Sequence, residues 1–519
     1  MASVSPLDAP NARFVRPGRR AVAAVSALVA VASLLAGCAT DDVGDVGDWR
    51  KDPGLPGAVV ANLPTGITVA SDVPAELALI ASQTIFAAAP AVVLVEDGDP
   101  EAEAAAAEAA DEVDGPVLAV GGVISDDGLR IELERLGATG VLVVGDVEDA
   151  TLRSIAPAAT AVRLKSSWAA GTPTGDTEIA GAIAQLPERG KPQQATEAVA
   201  LVDPDADEDV TLAVATARAA GAVVIEVPGG DPRASHASVD ALANAQALSA
   251  IGIGTTFGSS SQLAARFRAA STGVELPGGG QLVTGSRYVG LAGSPVSPSL
   301  GALGRQDVDA TVTRAAEVAG AVDPDAVPTL EIAATVAAPA AGEDGDFSNE
   351  TPADELRPLV EAGLAAGQSV VLDFQPGGST FVEQLAEYRD LLDLPGVGVA
   401  LDLEWRYPDG APGGLVAGRV PAAEVDEALA YLADVVVDGA LPQKLVVLRD
   451  DATPSVDDPG ALDLQRDPLG VVVSLPGDVD APAWSTAADD VMAGVRLTLP
   501  SWGLPAAADD GTPAYVVYR

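Results

Sequence analysis

The sequence predicts an α/β protein in which a parallel-sheet, repeat-like N-terminal half is followed by a (β/α)8 TIM-barrel-like C-terminal domain. Three observations predict it. From Ala58 onward, Val-rich runs too short for helices alternate with Ala-rich amphipathic stretches. Two successive runs of this kind repeat the same order of elements, which points to an internal duplication. After Gly278-Gly279-Gly280, eight strand-like runs fall within about 240 residues and are mostly parted by helices, the arithmetic of an eight-stranded parallel barrel. The 519 residues call for two or three domains. With 48% hydrophobic but only 3% aromatic residues, the cores must be built from small aliphatic side chains.

Residues 1–37 read as a lipoprotein signal peptide. Arg13, Arg16, Arg19 and Arg20 form a basic start, residues 21–34 are apolar and uncharged, and Leu35-Ala36-Gly37-Cys38 follows. Small residues before the cut and a Cys after it suit processing in which the thiol takes a lipid. The apolar run is shorter than the ~20 residues that a membrane span needs. Cys38 is the only cysteine of the chain, so lipidation there leaves no thiol for disulfides, nucleophilic catalysis or Cys-ligated metal. The expected location is the extracytoplasmic face of a cell membrane, held by a lipid anchor. Residues 38–56, acidic and rich in Gly and Pro, read as a tether.

The formal net charge is −46, and loss of residues 1–37 makes it more negative by about three. That excludes nucleic acid as a partner and disfavours docking on anionic lipid by charge. No motif calls for a cofactor.

Residues 57–165 read as one α/β domain, with strands at 92–95, 117–120 and 141–144 and helices at 101–111 and from Ser125, a natural N-cap, to Leu136. Residues 166–278 read as a second α/β unit, with strands at 198–202, 223–227 and 251–254 and helices at 210–220 and 259–270. Residues 279–519 hold the barrel strands, expected at 288–291, 329–335, 369–374, 397–403, 444–448, 471–474, 495–499 and 514–518. Helices are expected at 310–319, 354–366, 381–392 and 423–437. The last three strands lack full helices between them. Gly121-Gly122 and Gly252-x-Gly254 lie where phosphates bind in α/β folds, but neither completes a nucleotide-binding motif, and tight turns explain them.

Residues 81–146 resemble a type-2 cell-wall-binding repeat. The resemblance is carried by residues 82–86, Ala91-Val92-Val93-Leu94-Val95, Gly115-Pro116-Val117-Leu118-Ala119-Val120 and the run from Leu133 through Gly137 to Gly145. It implies a compact α/β fold of strand–helix units and a place at the cell wall. Members of that family bind anionic wall polymers, whereas this chain is itself strongly acidic.

Residues 331–444 resemble an uncharacterised family of actinobacterial lipoproteins. The carrying segments are Ile332-Ala333-Ala334-Thr335-Val336, Gly345-Asp346-Phe347-Ser348-Asn349-Glu350, Val371-Leu372-Asp373-Phe374-Gln375-Pro376-Gly377, Val399-Ala400-Leu401-Asp402-Leu403-Glu404-Trp405-Arg406 and Leu441-Pro442-Gln443-Lys444. This resemblance implies a barrel-like, glycosidase-like C-terminal domain.

Carboxylates are the remaining candidates for chemistry. His236 is the only histidine; no nucleophile elbow frames it, and it reads as a surface residue. In a barrel the functional groups sit where strands end. Asp373 ends one strand; Asp402 and Glu404 end the next, and as residues i and i+2 they are expected to face the mouth together. These three are the candidate catalytic residues of a glycosidase, one protonating the leaving oxygen and another serving as nucleophile or base. Gln375, Trp405 and Arg406 are the candidate ligand-binding residues, with Trp405 a sugar platform. Asp346, Asn349 and Glu350 lie on a loop of the same face, where the acidic run from Gly342 to Asp346 resembles part of a Ca²⁺ loop without its full spacing; no metal site is assigned.

Three readings stay open. The barrel binds a cell-wall glycan or serves a structural role, it hydrolyses an envelope polysaccharide with these carboxylates, or the carboxylates are ion-paired to Arg406 or Arg449 as scaffold.

Overall fold

A computed structural model describes residues 55–164, 173–407, 417–451, 455–476, 484, 491–500, 504–509 and 511–519. The expected signal peptide, Cys38 and nearly all of the expected tether lie outside the described residues. No helix among the described residues is long and apolar enough to cross a membrane.

Two four-stranded, all-parallel sheets make up the first half. Across the first lie Val117–Val120, Ala91–Glu96, Gly140–Val144 and Thr160–Arg163. Across the second lie Val223–Glu226, Ala198–Val202, Ser249–Ile253 and Gly66–Val69. In chain order these are one topology used twice. One repeat runs from strand Gly66–Val69 to helix Asp149–Ile155, the other from strand Thr160–Arg163 to helix Ser260–Ala270. Each repeat lends its first strand to the edge of the other's sheet. The boundary expected at 165/166 therefore falls just before Thr160. The strand Thr160–Arg163, for which no strand was expected, pairs with the first sheet although it begins the second repeat.

The exchange ties the repeats together, and helix packing completes the union. Helix Thr211–Ala219 of the second repeat packs on Pro74–Ile85 and Pro100–Val113 of the first. Thr216 Oγ1 on that helix accepts from the backbone N–H of Val117 at 3.1 Å. The contact surfaces are almost all Ala, including Ala78, Ala106, Ala109 and Ala110. Small side chains let these helices approach closely, which accounts for the scarcity of aromatics. Ser125 caps helix Asp126–Leu136 as expected, its Oγ accepting from Gly128 N at 3.2 Å.

The glycine turns are occupied by the chain's own carboxylates. A Cβ on Gly122 would lie 2.0 Å from Asp97 Oδ2, and one on Gly254 2.8 Å from Glu208 Oε2. Glu208 accepts from Thr255 N at 2.9 Å, which is the place a phosphate would take at such a turn.

The C-terminal half is a closed barrel of eight parallel strands in chain order: Tyr288–Gly293, Val327–Ala333, Ser369–Phe374, Val397–Asp402, Lys444–Arg449, Leu469–Ser474, Met492–Leu497 and Tyr515–Tyr518. The first pairs with the eighth through Tyr288 and Tyr515. Alternation along each strand separates two surfaces. Val370, Leu372, Val399, Leu401, Val446 and Leu448 face the outer helices. Val371, Ala400, Leu445, Val447, Val472 and Tyr515 point inward and fill the lower barrel. Among the described residues no α-helix longer than a turn follows Ala422–Gly439, in keeping with the irregular last third. The halves are joined beneath the barrel: Asp467 Oδ1 accepts from Arg233 Nη2 at 3.0 Å and from Arg266 Nε at 2.9 Å.

Lys444 opens the fifth strand at the barrel bottom, on the side that Val446 and Leu448 turn toward the outer helices, and is 4% exposed. Its Nζ donates to the carbonyls of Leu392 at 2.8 Å and Val397 at 2.6 Å, two acceptors that match the two N–H bonds of a neutral amine. Burial, with Arg389 nearby and against the pull of Asp393, brings its pKa down to about 7. The folded value lies below the ordinary one, so folding expels a proton between pH 7 and about 10.5, and this cost fades as pH rises. The lysine therefore adds roughly 1.4 kcal/mol of stability per pH unit across that window. Urea denaturation of wild type and Lys444→Met at pH 7 and pH 9.5 checks it: the stability gap should shift toward wild type by about 2–3 kcal/mol at the higher pH.

Candidate functional site

Above the apolar layer, toward the C-terminal strand ends, the barrel interior turns polar. Glu331, Asp373, Asp402, Arg449 and Arg496 come from the second, third, fourth, fifth and seventh strands. Arg449 is fully buried. Its Nη2 donates to Glu331 Oε2 at 2.5 Å, and its Nη1 to Asp402 Oδ1 at 2.7 Å and Asp373 Oδ1 at 3.2 Å. Arg496 Nη2 donates to Glu331 Oε1 and Asp373 Oδ2, both at 3.0 Å, and its Nη1 lies 3.6 Å from Asp402 Oδ2. Tyr515 donates its hydroxyl to Glu331 Oε2 at 2.7 Å.

Three carboxyl groups thus face two guanidiniums. Burial alone would raise Glu331, but Arg449 and Arg496 override it and hold the group at about 2. Asp373 goes the other way: burial and the neighbouring Asp402 push it well above the usual carboxylate range, against both arginines. The surplus carboxyl is therefore the one that favours its proton. Burial opposes the charge on Arg449, yet Glu331, Asp402 and Asp373 fix it as a cation. The site is a locked polar floor.

Over this floor lies a cavity of about 220 Å³, lined in part by Gln375, Glu404, Trp405, Asp451, Arg496 and Arg519. Glu404 does not share the direction of Asp402. The extended strand stops at Asp402, and Leu403–Trp405 form a 3₁₀ turn, so the two-residue alternation ends one residue too soon. Asp402 points into the floor, and Glu404 sits half-buried on the cavity wall. Burial, then Asp402 and Asp451, raises the Glu404 carboxyl to about 7. Asp451, two residues beyond the fifth strand, stands exposed at the rim of the cavity.

Of the expected ligand residues, Trp405 lines the cavity, half-buried. Gln375 is committed: its Nε2 donates to Asp402 Oδ2 at 3.0 Å and its Oε1 accepts from Ala337 N at 3.1 Å. Arg406 does not reach the mouth. Its Nε donates to Glu424 Oε1 at 2.6 Å and its Nη1 to the carbonyls of Gly378 at 3.0 Å and Gly377 at 3.3 Å. It clamps the 377–378 turn to helix Ala422–Gly439, because the 3₁₀ turn swings residue 406 behind the strand ends.

On the adjacent loop, Asp346 accepts from Ser348 N at 2.8 Å and Ser379 Oγ at 2.9 Å, and Glu350 from Gln384 Nε2 at 3.1 Å. Asp344, Asp346 and Glu350 each bring a carboxylate oxygen within 4.8 Å of the others; the bonds just given already satisfy two of the three. His236 is exposed and pairs with Glu275 at 2.8 Å.

Glu331, Asp451 and Arg496 went unnoticed in the sequence. Asp451 was the most accessible signal, a second acid immediately beyond a strand end. Arg496 was hidden by the strand window, which began at 495 instead of 492.

No family model matches this chain, and no curated protein matches it. Among solved structures it is similar to Cwp6 from Clostridium difficile, at 13% identity and a TM-score of 0.28, over 62% of this chain and 63% of that one. The chain thus spans a little under two thirds of that protein's length.

Proposed function

We propose that this is a cell-envelope lipoprotein, anchored through Cys38 on the extracytoplasmic face, whose barrel mouth binds a cell-wall glycan. The observation that carries the binding reading is the locked floor. Asp373 and Asp402, two of the three carboxyls that a hydrolytic mechanism would use, are held by Arg449 and Arg496. Groups paired on several sides hold shape and charge better than they exchange protons or attack a sugar carbon. The cavity above them offers what a sugar needs, an indole wall at Trp405 and polar groups at its rim.

A second reading, glycoside hydrolysis, is favoured by Glu404 alone. A carboxyl titrating near 7 on a cavity wall suits a general acid, and Asp451 or Asp373 would be its partner.

Co-sedimentation of the full-length chain, purified in detergent, with isolated wall polysaccharide tests the binding reading. Trp405→Ala should weaken binding about tenfold or more, the loss of some 1.4 kcal/mol. Unchanged binding by this variant would move the site away from the mouth.

A further inference from the structure

We propose that the barrel mouth selects a glycan by a free sugar amine, taking a glucosamine-type unit as its ammonium form; this rests on the glycan-binding reading above.

The charges that line the cavity decide which ligand it can take. Its charged lining residues among the described ones are Asp373, Glu404, Asp451, Arg496 and Arg519. Arg496 is already engaged by Glu331, Asp373 and Asp402, and Arg449 beneath it by the same three. The Nε of each makes no hydrogen bond with a described residue but is itself buried, out of reach of an incoming anion. Arg519 stands exposed at the rim, where water screens it. Glu404 and Asp451 are different: neither side chain makes a hydrogen bond or ion pair with any described residue. Both line the cavity, and burial together with neighbouring acids raises the proton affinity of Glu404. An unpartnered, half-buried carboxyl at Glu404 is costly to leave charged, and an arriving cation relieves it, with Asp451 exposed at the rim beside it.

The geometry narrows the kind of cation. Among the described residues, a group of three acids with converging oxygens is found at Asp344, Asp346 and Glu350, whereas the mouth offers two unpaired carboxyls. A cation carried on a flat, partly apolar body suits the mouth better, since Trp405 supplies an aromatic face beside the carboxyls. At about 220 Å³ the cavity is smaller than the ~300–1,000 Å³ of most ligand pockets, which fits one sugar ring at a time. A uronate, a phosphate-linked polymer or an N-acetylated unit brings no positive charge to this place.

The test is isothermal titration of the full-length chain in detergent with three tetrasaccharides: β-1,4-linked glucosamine, its fully N-acetylated form and a galacturonate. The glucosamine tetramer should bind at least tenfold more tightly than either of the others. Glu404→Gln and Asp451→Asn should each remove most of that preference, and the far-UV circular dichroism and urea midpoint of each variant report that it is folded. Equal or tighter binding of the N-acetylated or galacturonate form, still lost in Trp405→Ala, would overturn the amine assignment and leave the glycan site standing. Binding of tri-lysine in preference to all three sugars would overturn it in favour of a basic peptide. No binding by any sugar would overturn both the assignment and the glycan reading.

Discussion

Arg449→Met should cost the protein about 3–5 kcal/mol at pH 7, because one partner of a buried ionic cluster is removed and the others stay. Arg449 is fully buried and touches Glu331, Asp373 and Asp402 at once. With a thioether in its place, three carboxyls would share the charge of Arg496 alone. The pH dependence should steepen as well. In the wild type, Glu331 titrates at about 2, below its ordinary value. Its stabilisation is therefore complete above about 4.5 and lost as pH falls toward 2. Asp373 is raised, so its contribution runs the other way and improves as pH falls. In Arg449→Met the raised kind should dominate, and lowering pH from 7 to 5 should restore part of the lost stability. Urea denaturation at the two pH values reads both effects. A loss under 1 kcal/mol, or a variant that weakens further on acidification, would mean that the floor is not an ionic lock.

Cys38→Ser should have the largest effect on location. If the thiol carries the lipid, the serine variant keeps no anchor, since two buried chains are what make such attachment stable and no described helix can span a bilayer. Expressed in a host with the lipidation machinery, wild type should pellet with membranes, partition into detergent and exceed its polypeptide mass by the lipid. The variant should be found almost entirely in the soluble extracytoplasmic fraction or accumulate uncleaved. Equal membrane retention by the two forms would remove the lipoprotein reading.

The barrel was legible because its signal is local. Strand windows such as 369–374 and 444–448 are runs of branched aliphatics flanked by turns, and the structure sets strands Ser369–Phe374 and Lys444–Arg449 there. The duplication was legible for the same reason, but the strand exchange was not. The strand Gly66–Val69 pairs with Ser249–Ile253 across more than 180 residues, and nothing in a short apolar run states which distant edge it will join.

The site was legible in part. Asp373 and Asp402 were expected at the ends of barrel strands and lie there, in the floor, and Trp405, expected just beyond, lines the cavity above it. Their partners were not, since an inward-facing Arg496 or Glu331 is recognised only once the alternation of its own strand is fixed by the closed barrel. Arg406 was misplaced because a single 3₁₀ turn, Leu403–Trp405, reverses where the next side chain points. Such a turn has no strong sequence signature.

The central claim is that the mouth binds and does not cut. The most direct measurement is sugar released from isolated cell-wall polysaccharide by the full-length chain, alongside the amount of chain retained on the polymer and beside the same measurements on Glu404→Gln. The account predicts retention of the wild type with no release of reducing sugar above a protein-free blank. Release by the wild type that disappears in Glu404→Gln would contradict it and make the barrel a glycosidase with Glu404 as its acid.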